Sequence, residues 1–75
     1  MGINEFVANF ADQFEETDKE VFTPQTSFKD LDEWTSLTAL SVIAMIDEEY
    51  GVSLKSDDLA KSTTIEDLFN KISAE

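Results

Sequence analysis

The segment Trp34-Thr35-Ser36-Leu37-Thr38-Ala39-Leu40-Ser41-Val42-Ile43-Ala44-Met45-Ile46-Asp47-Glu48-Glu49-Tyr50-Gly51 reads as one long helix with marked ends. Thr35 or Ser36 offers a side-chain oxygen to the free N–H groups of a first turn. Gly51 follows Tyr50 directly, in the place of a left-handed C-terminal cap. Leu37, Leu40, Ile43, Ala44 and Ile46 give an apolar stripe at helical spacing, which Val42 and Met45 widen. The spacing predicts a helix from Ser36 to Tyr50. Asp47-Glu48-Glu49 fall in its last turn, where negative charge opposes the helix dipole at a cost of about a few tenths of a kcal/mol per charge. Acids placed against the dipole hint at a use outside the fold, the alternative being a plain solvated face. Ser36 opens the helix, yet the chain has no His, Cys or Arg to activate it. It reads as a substrate for another enzyme rather than as a catalyst.

Upstream of this helix, Ile3, Phe6, Val7, Phe10 and Phe14 follow a 3-4-3-4 rhythm that predicts an amphipathic first helix over roughly residues 3–16. Residues 17–35 lack periodicity, and Thr23-Pro24 breaks any helix there. A connection this long needs a reason in a small fold. Val21, Phe22, Phe28 and Leu31 are expected to pin it to the core. Downstream, Ser56-Asp57-Asp58-Leu59 opens a short helix with Ser56 as cap. Thr63-Thr64-Ile65-Glu66 has the form of a capping box, and Ile65, Leu68, Phe69 and Ile72 give the apolar face of a last helix. No alternating strand pattern is present. The expected fold is all-α: a small four-helix bundle of three longer helices and one short helix, with a long first loop.

The chain has 75 residues, read as a single unit over 1–75. A chain of this size buries only about 60–65% of the surface it exposes when unfolded, so its core is thin. Net charge is −12, from 17 acidic and 5 basic residues. That argues against nucleic acid and anionic membranes, since phosphate binding needs clustered Lys or Arg, and leaves two readings of the acidity: partners with basic surfaces, or solubility alone. Like charge also favours a monomer. No apolar run approaches the roughly 20 residues of a membrane span. The start, Met1-Gly2-Ile3-Asn4-Glu5, lacks the basic and apolar regions of a signal peptide, so a cytoplasmic location is expected. Asp30-x-Asp32 resembles the start of a calcium loop, but Thr35 and Ser41 stand where Gly and Glu are required. Zinc lacks its usual ligands. No metal site and no catalysis are expected.

From Ser27 to Ile72 the chain resembles the acyl carrier protein family. The resemblance rests on Thr35-Ser36-Leu37 at the start of the second helix, where the family carries Asp-Ser-Leu, and on the apolar helix that ends in Asp47-Glu48-Glu49-Tyr50. Ser27-Phe28, Val52-Ser53-Leu54, the acidic segment from Asp57 to Lys61 and Thr63-Thr64-Ile65 follow in the family's order. The resemblance implies a freestanding, non-enzymatic carrier with a 4′-phosphopantetheine arm on Ser36. A phosphopantetheinyl transferase would install the arm from coenzyme A, and acyl groups would ride on its thiol as thioesters. The reactive sulfur then belongs to the cofactor, which accounts for the missing cysteine. Partners would be acyl-transferring or condensing enzymes of fatty-acid, polyketide or specialised acyl synthesis, with basic docking patches. By position, Thr35, Leu37, Met45, Asp47, Glu48 and the exposed edge of Leu54 would meet them. The core around Phe28, Leu40, Ile46, Leu59, Ile65 and Leu68 would open to shelter an acyl chain.

The chain also departs from the family. Thr35 replaces the usual Asp, keeping the capping oxygen and losing the charge. Glu33 stands where Gly is usual, followed by the bulky Trp34. The acids of the recognition surface are expected in two groups: Asp30, Asp32 and Glu33 before the helix, and Asp47 to Glu49 at its end. Aminoacyl and peptidyl carriers share the fold and the serine, and an unmodified acidic interaction module would keep the fold without the arm. Both stand as alternatives.

Overall fold

The computed structural model describes residues 2–73. It contains four α-helices: α1 (Ile3–Ala11), α2 (Ser36–Tyr50), α3 (Ser56–Lys61) and α4 (Ile65–Ser73). Two short 3-10 turns, Lys19–Val21 and Phe28–Asp30, interrupt the long connection between α1 and α2. Among the described residues there is no strand, only an isolated antiparallel bridge between Ser27 and Thr64. The all-α bundle is the one that the apolar spacing predicts.

The first helix is shorter than its rhythm suggests. Beyond Ala11 the chain tightens: the N–H of Gln13 donates to Phe10 and that of Phe14 to Ala11, three residues back rather than four. This keeps Phe14 on the buried face, 4% exposed, although it lies outside the helix. The periodicity reported burial correctly and overstated the helix, because both turn types return a side chain to the same face after three or four residues.

The long connection earns its length at α4. The N–H of Ile65 donates to the carbonyl of Thr26 at 3.2 Å and that of Glu66 to Pro24 at 2.8 Å. The loop thus satisfies donors that the first turn of a helix leaves open. Phe22 and Phe28 are buried and anchor it, Leu31 is half-buried, and Val21 is exposed instead of pinned. The capping box of α4 sits one residue later than expected. Thr64 Oγ1 accepts from the N–H of Asp67 at 3.1 Å, and Asp67 Oδ2 accepts from the N–H of Thr64 at 3.1 Å and of Thr63 at 3.2 Å. Ser56 does not cap α3; the N–H of Lys55 donates to Asp58 Oδ2 at 3.0 Å instead.

Phe6, Phe10, Phe28, Val42, Ile46, Ile65 and Leu68 are fully buried and form the core with Leu59 and Ile72. Phe10 is the hub of its aromatic part, with ring centroids 5.6 Å from Phe14, 5.4 Å from Phe28 and 6.4 Å from Trp34. Such pairs contribute about 0.5–1.5 kcal/mol beyond their area. Here they join α1, the loop and the residues just before α2 in a chain too short for a deep aliphatic core. Asn9 Nδ2 donates to the Tyr50 hydroxyl at 2.9 Å, tying α1 to the far end of α2.

Candidate functional site

Ser36 is the first residue of α2, and its side chain is exposed. Thr35 is the N-cap, its Oγ1 accepting from the N–H of Thr38 at 3.3 Å. Among the described residues, the N–H groups of Ser36 and Leu37 donate to no protein acceptor. The turn therefore presents a hydroxyl and open donors at the positive end of a helix. Trp34 fixes it from behind, with its ring 4.9 Å from Phe28 and stacked on Phe10. Beside Ser36 runs an open groove of about 540 Å³, lined by Trp34, Thr35, Ser36, Ala39, Leu40 and Ser56. None of these side chains carries a charge.

The faces of α2 sort out differently from the broad apolar stripe. Val42, Met45 and Ile46 are buried, and Ala39 and Ile43 pack against them half-buried. Leu37 is 76% exposed, Leu40 is 60% exposed, and Ala44 is exposed as well. At 3.6 residues per turn, Leu37, Leu40, Ala44 and Asp47 share the face opposite Val42 and Ile46. Leu40 is therefore not part of the core with Phe28, Ile46, Leu59, Ile65 and Leu68, which do pack together. It walls the groove instead. Met45 and Leu54, expected to touch partners, are both 7% exposed and belong to the core. A helix apolar on most of its circumference does not announce which face is covered; the neighbours decide.

Asp47, Glu48 and Glu49 are exposed at the end of α2, which has no basic residue. A hollow of about 380 Å³ between α1 and α2 is lined by Asn9, Asp12, Gln13, Ser41, Ala44, Met45, Glu48 and Glu49. The outer face of α2 thus runs from apolar beside Ser36 to acidic at Tyr50. Asp30 and Asp32 are exposed too, but Glu33 is not a free surface acid. Its carboxylate accepts from the Thr17 hydroxyl at 2.7 Å and from the N–H groups of Glu15 at 2.8 Å, Glu16 at 3.1 Å and Thr17 at 2.9 Å. The Thr17 hydroxyl, followed by these backbone donors, holds the acid below the ordinary carboxylate range. Nothing local in the sequence signals this role, because the partners lie 16–18 residues away.

Among the described residues, no group of three or more His, Cys, Asp or Glu is placed to hold a metal ion. No helix among them is long and apolar enough to cross a membrane. A family model described as the phosphopantetheine attachment site matches residues 4–72. The chain belongs to this family. Neither a curated protein nor a solved structure gives a significant match. Members of the family are carriers rather than enzymes, and they hold 4′-phosphopantetheine covalently. A carrier of this kind is served by a phosphopantetheinyl transferase and by enzymes that handle the thioester.

Proposed function

We propose that Ser36 is the attachment residue and that the protein presents acyl groups, as thioesters on the arm, to enzymes of fatty-acid, polyketide or specialised acyl synthesis. The observation that carries this reading is the exposed Ser36 hydroxyl at the start of α2, beside a groove with no charged lining. The residues present suit the group. A phosphodiester on Ser36 would lie at a helix N-terminus with two open N–H donors, and an apolar acyl chain would meet Trp34, Ala39 and Leu40. The ammonium of an aminoacyl cargo would find no carboxylate among the groove's side chains, which supports acyl over aminoacyl cargo. The arm supplies the thiol chemistry. This chain supplies the hydroxyl and the surface, and the base that takes the Ser36 proton must come from the transferase.

Leu37, Asp47 and Glu48 are the contacts we assign to partners, with Thr35 beside the attachment point. Their order along one face suits an enzyme whose docking patch is apolar near its active-site entrance and basic further away. The net charge of −12 favours a monomer and partners with basic patches. The decisive test is intact mass after incubation with coenzyme A, magnesium and a broad-specificity phosphopantetheinyl transferase. The expected result is a gain of one phosphopantetheinyl group, lost in Ser36→Ala, whose helical fold is retained. Loading that survives Ser36→Ala refutes the assignment. If the chain gains nothing while the transferase loads another carrier, Thr35→Asp tells whether the threonine is the obstacle.

A further inference from the structure

Glu33 joins two distant parts of the chain immediately before Ser36. One carboxylate oxygen accepts from the Thr17 hydroxyl and N–H and from Glu16. The other accepts from the N–H of Glu15 at 2.8 Å and again from Glu16 at 3.3 Å. Its backbone carbonyl accepts from the Thr38 hydroxyl at 2.8 Å. Thr38 in turn donates its N–H to Thr35 Oγ1 and shares a hydroxyl contact of 3.2 Å with it. Ser36 lies between Thr35 and Thr38, inside this frame. The side chain of Glu33 thereby holds the segment just after α1, while its backbone carbonyl anchors the first turn of α2. Only a carboxylate serves here, being acceptor-only with room for several donors. Glutamine would turn an NH₂ toward N–H groups that already point inward.

We propose that Glu33 is a positioning residue for cofactor attachment: it locks the turn that presents Ser36 to the transferase. This rests on Ser36 being the attachment point. A transferase binds one arrangement of that turn, and its apparent affinity falls by the fraction of time the turn spends elsewhere. Once the turn is captured, the chemical step is that of the native chain.

The test measures transferase kinetics on the full chain together with amide hydrogen exchange before loading. Glu33→Gln is expected to raise KM for the chain, leave kcat unchanged, and speed exchange at Ser36, Leu37 and Thr38. Thr17→Ala should do the same more weakly, and Thr17→Ser should restore native values. Ile72→Val, a core change in α4, serves as control: it should lower Tm without moving KM or those exchange rates. An unchanged KM in Glu33→Gln, or an equal rise in Ile72→Val, overturns the proposal. If the wild-type chain does not load while the transferase is active on another carrier, the kinetics are run in the Thr35→Asp background, and failure of that variant to load overturns the attachment reading and this inference with it. Hydrogen exchange on the unmodified chain then reports on the clamp alone.

Discussion

Glu33 stands just before α2, and Asp47, Glu48 and Glu49 stand in its last turn. These are the same chemistry at the two ends of one helix, used in opposite ways. Glu33 is saturated with hydrogen bonds from residues 15–17, in the loop after α1, while Asp47, Glu48 and Glu49 are exposed, in a helix without a basic residue. The first acid stabilises the fold and is unavailable to a partner. The second group works against the dipole of its own helix and is available. In a chain with 17 acidic residues, acidity by itself therefore says little. What matters is whether a carboxylate has found backbone donors.

The largest effect that would sharpen this contrast lies in stability and its pH dependence. Glu33, Asp67 and Asp58 all have folded pKa values below the ordinary carboxylate range. The leading causes are the Thr17 hydroxyl for Glu33, the Thr64 N–H for Asp67 and the Lys55 N–H for Asp58. A depressed folded pKa means that the unfolded chain binds the proton first. The stabilisation is complete above the unfolded value, about 4, and disappears as pH falls through the folded values. From neutral pH down to about pH 3, this stabilisation should hold steady and then fall as these acids take up protons. Urea titrations of Glu33→Gln across that range should show a lower maximum and a shallower acid limb than the native chain. An unchanged acid limb would place the clamp's contribution elsewhere.

A second effect concerns association. The double change Asp47→Lys and Glu48→Lys should slow binding to a partner with a basic patch by about tenfold at low salt, with the difference shrinking as ionic strength rises. Stability should not decline, since cations suit a helix C-terminus. Equal binding of both forms at low salt would break the contrast, because the exposed acids would then have no partner role. The smallest effect isolates the dipole. Asp47→Asn alone should raise stability by about 0.3 kcal/mol, measured by denaturant unfolding. A loss on neutralisation would mean that this acid, like Glu33, has a structural donor.

Much of the fold was legible because it depends on spacing. α2 runs between a threonine cap and Gly51, whose φ of +67° is the left-handed conformation that a side chain disfavours. The apolar repeats of α1 and α4 give their buried faces. What could not be read was local in appearance and tertiary in cause. Residues 12–16 continue the apolar rhythm of α1 without remaining helical, because the backbone donors of Glu15, Glu16 and Thr17 turn to Glu33. The box that caps α4 slid from Thr63 and Glu66 to Thr64 and Asp67, where the loop carbonyls of Pro24 and Thr26 meet the helix. Leu40, Met45 and Leu54 changed places between core and surface, because an all-round apolar helix and a short link take their orientation from what packs on them.

The sequence by itself determined the helices, the position of Ser36 at the head of the longest one, the missing catalytic side chains and the acidic end of α2. Those follow from periodicity, caps and composition, all of which act over a few residues. The tertiary structure decided which apolar side chains wall the groove beside Ser36 and which acid became a backbone clamp. Both depend on donors and neighbours brought together from distant parts of the chain, and hydrogen bonds of 2.8 Å between residues 18 positions apart leave no trace in local pattern.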